Sequence, residues 1–230
     1  RALTEDEIEG LIEAYASAAM RAFSAGFDGV QIHVAHGYLA SQFISLYTNK
    51  REDKWGGPLE NRMRFPLEIL RRIRKAVGDN YPVLIKLNSE DFLDGGLTIE
   101  EGTQIARALS QEGIDAIEIS GGMMESGNHI AKPGIKEEED EAYFLTNAKK
   151  FRDVIDVPLI LVGGLRSYGL MEQLIEGGEA DMVSMSRPFI REPDLVNKWK
   201  QGDTRKADCI SCNGCQRYRD EPVRCIQLDK

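Results

Sequence analysis

Five short apolar runs, each followed by a helical pattern and with no hairpin signal between them, constrain this chain more than any other feature. The runs are Gly29-Val-Gln-Ile-His-Val34, Pro82-Val-Leu-Ile-Lys-Leu-Asn88, Ala116-Ile-Glu-Ile-Ser120, Pro158-Leu-Ile-Leu-Val162 and Met182-Val-Ser-Met-Ser186. Ahead of the first, Ile8, Leu11, Ile12, Tyr15 and Ala19 recur at helical spacing, with Phe23 a turn further on. Thr4-Glu-Asp-Glu7 reads as a capping box for that helix, and Thr98-Ile-Glu-Glu101 as a second one opening a helix to about Glu112. Further helices are expected over Leu67 to Val77, Glu141 to Val154, Ser167 to Glu176 and Asp194 to Lys200. Alternation of this kind specifies an α/β fold, a parallel sheet covered by helices.

The pattern alone does not choose between an open doubly wound sheet and a barrel. No Gly-x-Gly-x-x-Gly follows the first strand, so a dinucleotide-binding Rossmann site has no support. Glycines and an arginine instead stand at the ends of the last two strands, where (β/α)8 barrels hold a phosphate. The expected architecture is therefore five βα units of a (β/α)8 TIM barrel, strands 4–8, over residues 1–203, with a cysteine-rich tail at 204–230. Five parallel strands leave two unpaired edges, so a missing N-terminal barrel half or a second copy of the chain is expected to cover them. Arg1 in place of Met fits a piece of a longer chain.

Charge and hydropathy narrow the partners. The net charge of −9 offers no basic excess for a phosphate backbone, and no run of 18 apolar residues occurs, so neither nucleic acid nor membrane is expected. Five acidic residues fill 137–141, which reads as a solvated loop leading into a helix.

Four groups of residues carry candidate chemistry. His33 and His36, with Tyr38 behind them, run off the end of the first strand, where they can hydrogen-bond a substrate oxygen and deliver a proton; the alternative is a pair of structural histidines. Lys86 interrupts an apolar strand, so it either meets an anion or snorkels to the strand end. Gly163 and Gly164, with Ser186 and Arg187, can approach and fork to phosphate oxygens, although tight turns use glycine anyway. Cys209, Cys212, Cys215 and Cys225 all fall in the last 22 residues of an otherwise cysteine-free chain, which points to a metal site in a reducing compartment, the cytoplasm. Three thiols at two-residue spacing with a distant fourth suit an iron–sulfur cluster better than zinc, with free thiols as the remaining option.

Gly26-Phe-Asp-Gly-Val-Gln-Ile-His-Val-Ala-His-Gly-Tyr-Leu39, followed by Asn49-Lys-Arg51, Trp55-Gly-Gly-Pro-Leu-Glu-Asn-Arg62, Ile85-Lys-Leu-Asn-Ser-Glu-Asp-Phe92 and Gly95-Gly-Leu-Thr98, closely resembles the Old Yellow Enzyme family. That resemblance implies an FMN-dependent NAD(P)H oxidoreductase on a (β/α)8 barrel. It implies that His33 and His36 bind the activating oxygen of an enone or enoyl substrate, and that Tyr38 protonates the α-carbon after hydride reaches the β-carbon. A phenol, with an ordinary pKa of about 10, keeps its proton at neutral pH. By the same resemblance Lys86 is the cation beside flavin N1 and O2, where many relatives carry Arg, and Gly163, Gly164, Ser186 and Arg187 hold the FMN phosphate. The cysteine tail is similar to that of the 2,4-dienoyl-CoA reductase and trimethylamine dehydrogenase branch, which carries a 4Fe–4S cluster fed from a C-terminal FAD domain. The sequence stops five residues after Cys225, so the expectation here is the cluster without that domain. Two further readings stay open: oxidative demethylation of an amine, with electrons leaving through the cluster, and a partial barrel inactive without its other half.

Overall fold

The computed structural model describes residues 1–216 and 222–228. Helix α1 (Glu5–Ser24) starts at the Thr4–Glu7 capping box, in which both reciprocal hydrogen bonds form. It leads to β1 (Val30–Val34), then the short helices α2 (Leu39–Ile44) and α3 (Leu59–Arg62) and the longer α4 (Arg64–Val77). β2 (Val83–Asn88), α5 (Ile99–Gln111), β3 (Ala116–Ser120), α6 (Leu145–Arg152), β4 (Leu159–Val162), α7 (Tyr168–Glu176) and β5 (Met182–Ser184) continue the alternation. The helices α8 (Arg187–Arg191) and α9 (Leu195–Lys200) lead into the tail. The second expected capping box, Thr98 with Glu101, is also complete.

All five strands pair in parallel in the order β1-β2-β3-β4-β5, as successive units of a (β/α)8 barrel do. Side chains alternate across such a sheet. One set, including Ile32, Val34, Ile85, Leu87, Ile117, Ile119, Leu159 and Leu161, is buried in a core shared with Ile8 and Ile12 of α1, Ile69 of α4, Ile105 of α5 and Phe151 of α6. The other set aligns His33, Lys86, Glu118 and Ile160 in one row across four strands. This second, polar face corresponds to a barrel interior, and the outer edges of β1 and β5 are unpaired within the described residues.

The segments Asn49–Arg51 and Trp55–Arg62 brace the long β1–α4 connection. The buried Asn49 amide donates to the carbonyls of Phe43 (2.7 Å) and Trp55 (2.8 Å). Arg62, only 2% exposed, donates to Gly57 O at 3.0 Å and to Ile44 O, and pairs with Glu101.

Three sequence expectations need correction. The helix expected from Glu141 begins at Leu145, because Glu141 turns inward while residues 137–140 stay exposed. Its carboxylate accepts from the backbone N–H groups of Arg166 (2.7 Å) and Ser167 (2.9 Å) and from Ser167 Oγ (2.9 Å), and lies 3.2 Å from Lys206 Nζ. The last acidic residue is thus a buried tie rather than part of a solvated loop. The fifth strand stops at Ser184, and Ser186 with Arg187 opens α8, whose Pro188 suits a helix start by lacking the N–H that a first turn leaves unpaired. The helix expected from Leu67 begins earlier, at Arg64.

Candidate active site

The C-terminal ends of the strands bring most of the candidate residues to one place. A cleft of about 370 Å³ is lined by His36, Lys86, Ser120, Tyr143, Gly164, Ser186 and Arg187, among others. His33 and Tyr38 flank it: the His33 ring lies 5.3 Å from that of His36 and 5.0 Å from that of Tyr38. Tyr38 precedes α2 and is half exposed, so its phenol is open to an incoming molecule. His36 has φ 65° and Gly37 φ 77°, two consecutive left-handed residues that turn the chain sharply after β1. Gly163 (φ 141°) and Gly164 (φ 73°) turn it after β4, and a Cβ on Gly164 would stand 3.0 Å from the Tyr143 ring, which crosses this turn.

Lys86 does meet an anion, one supplied by the protein itself. Its Nζ is 2.5 Å from a carboxylate oxygen of Glu118, and Gln31 donates to the other oxygen at 2.8 Å. Burial pushes the Glu118 carboxyl up, but Lys86 and the hydrogen bonds outweigh it and leave the group below its ordinary value. Sequence reasoning passed over Glu118, although a lone acid in Ala-Ile-Glu-Ile-Ser was the signal.

The histidines are held neutral. Burial first, then Lys86 and His33, push His36 down to about 4; burial and Lys86 also lower His33. Neutral imidazoles provide donors for an oxygen without a competing full charge. A consequence for stability follows by linkage. Between the ordinary value of 6.5 and about 4 the unfolded chain binds a proton at this position that the folded chain does not, so stability is lost as pH falls through this window. The expected loss from His36 is about 3 kcal/mol. Urea unfolding at pH 4.5 and pH 7 should show a smaller difference for His36→Gln than for the parent protein; equal differences would contradict the assignment.

Arg187 stands between the cleft and the tail. One terminal nitrogen donates to Lys132 O at 2.9 Å and to the side chain of Asn213. Its other guanidinium nitrogens have no hydrogen-bond partner among the described residues. With the Gly164 turn beside it, this arrangement fits a phosphate, which takes a planar fork together with backbone N–H groups.

None of the four cysteines is in a disulfide, and with Arg187, Ile190 and Asn213 they line a second cavity of about 20 Å³. Donors are aimed at the sulfurs: Arg191 at Cys225 Sγ (3.7 Å), the Gly214 N–H at Cys212 Sγ (3.4 Å) and Gln227 at the same sulfur (3.9 Å). Among the described residues no three His, Cys, Asp or Glu side chains converge to hold a single metal ion. Four cysteines lining one cavity, with donors aimed at two of the sulfurs, have the donor chemistry of a thiolate-bound metal group.

Residues 1–206 match the family model described as the NADH:flavin oxidoreductase / NADH oxidase family. The chain belongs to that family. A curated NADH oxidase of Thermoanaerobacter brockii is 44% identical over 219 residues, covering 94% of this chain and 33% of the relative. Cinnamate reductase of Clostridium sporogenes is 32% identical over 232 residues, with 94% and 34% covered. A solved 2-naphthoyl-CoA reductase in complex with 2-naphthoyl-CoA superposes with a TM-score of 0.85 at 37% identity, covering 94% of this chain and 32% of that one. The chain therefore spans about a third of the length of these relatives of the flavin oxidoreductase family.

Proposed function

We propose that this chain is the substrate-activating and phosphate-gripping part of an FMN-dependent NAD(P)H oxidoreductase that reduces the C=C bond of an enone or enoyl substrate. The observation that carries the reading is the gathering of His33, His36, Tyr38, Lys86, Gly164 and Arg187 at one end of one sheet. Arg187, Ser186 and the Gly163–Gly164 turn would hold the FMN phosphate, and Lys86 would supply a cation to the flavin's pyrimidine edge. Bound FMN supplies the hydride chemistry. His33 and His36 then bind the substrate carbonyl and stabilise the negative charge that grows on its oxygen, while Tyr38 delivers a proton to the α-carbon.

The four cysteines would hold a 4Fe–4S cluster, with Arg191, Gln227 and the Gly214 N–H offsetting its thiolate charge. Clustered cysteines that form no disulfide suit a reducing compartment, and the cytoplasm is the proposed location. The unpaired edges of β1 and β5 require cover, and we assign it to further barrel strands rather than to a second copy, because those would also close the polar face carrying His33, Lys86 and Glu118. Oxidative demethylation of an amine would use the same cleft, but the adjacent rings of His33 and His36 offer hydrogen-bond donors suited to a carbonyl oxygen rather than to a cationic amine.

The test is anaerobic. The completed barrel, loaded with FMN and reduced by NAD(P)H, should be reoxidised by members of an enone and enoyl panel and not by methylated amines. Failure across that panel would remove the ene-reductase reading. Anaerobically purified protein should also contain iron and acid-labile sulfide in equal amounts, and zinc alone would remove the cluster.

A further inference from the structure

Ser120 closes β3 with its hydroxyl oxygen 2.7 Å from Nε2 of His36. Neither residue was singled out for this contact by the motif, because 84 positions separate them. The serine is buried, at 2% exposure, and its carbonyl is already engaged by the N–H (2.7 Å) and the hydroxyl (2.8 Å) of Ser89. Among the described residues the ring nitrogen of His36 is the only hydrogen-bond partner of the Ser120 hydroxyl.

His36 is also fixed from its backbone. Its N–H donates to Asn88 Oδ1 at 3.2 Å, and the Asn88 amide nitrogen donates to Asp91 Oδ1 (3.0 Å) and Gly122 O (2.9 Å). Two acceptors on one side of that amide and a donor on the other leave it a single orientation. The fixed Asn88 amide thus anchors the backbone N–H of His36, a residue with a left-handed φ of 65°.

A hydroxyl and a neutral imidazole can share a hydrogen bond in two ways. If Nε2 carried the proton and donated it, the buried Ser120 hydroxyl hydrogen would be left without an acceptor, which a protein interior disfavours. If the hydroxyl donates, its proton is placed and Nε2 serves as acceptor. The ring's remaining nitrogen, Nδ1, has no protein partner among the described residues and is not among the buried polar atoms sealed from solvent.

We propose that Ser120 donates its hydroxyl proton to Nε2 of His36 and so holds the imidazole as the Nδ1–H tautomer, which faces the cleft as a hydrogen-bond donor. Ser120 is thus a positioning residue that acts through His36, and Asn88 supports it from the backbone side. The consequence for ligands rests on the proposed function: an atom that meets Nδ1–H must be an acceptor, such as a carbonyl or phenolate oxygen, and an ammonium group meets a donor instead.

Nitrogen-15 NMR of histidine-labelled protein at pH 7, with His36 assigned through His36→Asn, reads the tautomer directly and needs no substrate. The expected spectrum has a pyrrole-type Nδ1 and a pyridine-type Nε2 in the parent protein and in Ser120→Thr, which keeps the hydroxyl. Ser120→Ala should shift His36 toward the Nε2–H form that free imidazole side chains prefer. A pyrrole-type Nε2 in the parent protein, which needs no variant to fold, would overturn the proposal, as would an unchanged tautomer in Ser120→Ala. A simple phenol should bind the FMN-loaded protein about tenfold more weakly after Ser120→Ala. If the tautomer is as expected but no phenol binds the parent, the substrate reading of the cleft falls and the tautomer assignment stands.

Discussion

Replacing Tyr38 by phenylalanine should slow reoxidation of the reduced flavoprotein by an enone by about 10²–10⁴-fold, the range for losing a positioned proton donor. Flavin reduction by NAD(P)H should be unchanged, because that half-reaction needs no proton at the α-carbon. The geometry supports so selective an effect. Tyr38 makes no side-chain hydrogen bond that caps α2, its ring lies 5.0 Å from that of His33, and it is half exposed, so removing one oxygen leaves the packing intact. Stopped-flow traces of the two half-reactions separate the outcomes. Equal loss in both would mean that Tyr38 shapes the cleft rather than protonating the substrate.

Glu141→Ala should be the most damaging change away from the cleft, at about 3–5 kcal/mol, because it strands buried partners. Glu141 and Arg166 are both buried, and Glu141 also receives two backbone N–H groups, one serine hydroxyl and Lys206. Arg166 in turn donates to the carbonyls of Cys209 (2.7 Å) and Lys136 (3.1 Å), and its own carbonyl accepts from Ala207 (3.0 Å). This one carboxylate therefore ties the turn after β4 to the start of the cysteine tail. Denaturant unfolding measures the loss. A cost below about 1 kcal/mol would place Glu141 among ordinary surface pairs.

The parallel sheet, both capping boxes and the ends of most strands were legible in the sequence because they depend on local periodicity and on the residues at each boundary. The barrel-type arrangement was legible in the glycines and arginine at the ends of the last two strands and in the family motifs, and His36, Lys86, Gly164 and Arg187 group because parallel strands bring their C-terminal ends to one side. What stayed hidden depends on contacts between distant segments. Glu118 answers Lys86 only because β2 and β3 are in register, and Ser120 meets His36 across two strands. Glu141 looked like one more acid in a solvated run until the β4–α7 turn supplied its donors. The short helices α2 and α8 carry too few residues for a period to show, although Pro188 was a start signal for α8.

If the ends of these strands grip a flavin phosphate as proposed, FMN titrated into the protein binds there. Calorimetry should show a single saturating site that Arg187→Ala weakens about 10- to 100-fold, as expected for the loss of charge-assisted hydrogen bonds. Absence of saturable binding, or equal affinity in Arg187→Ala, would contradict it.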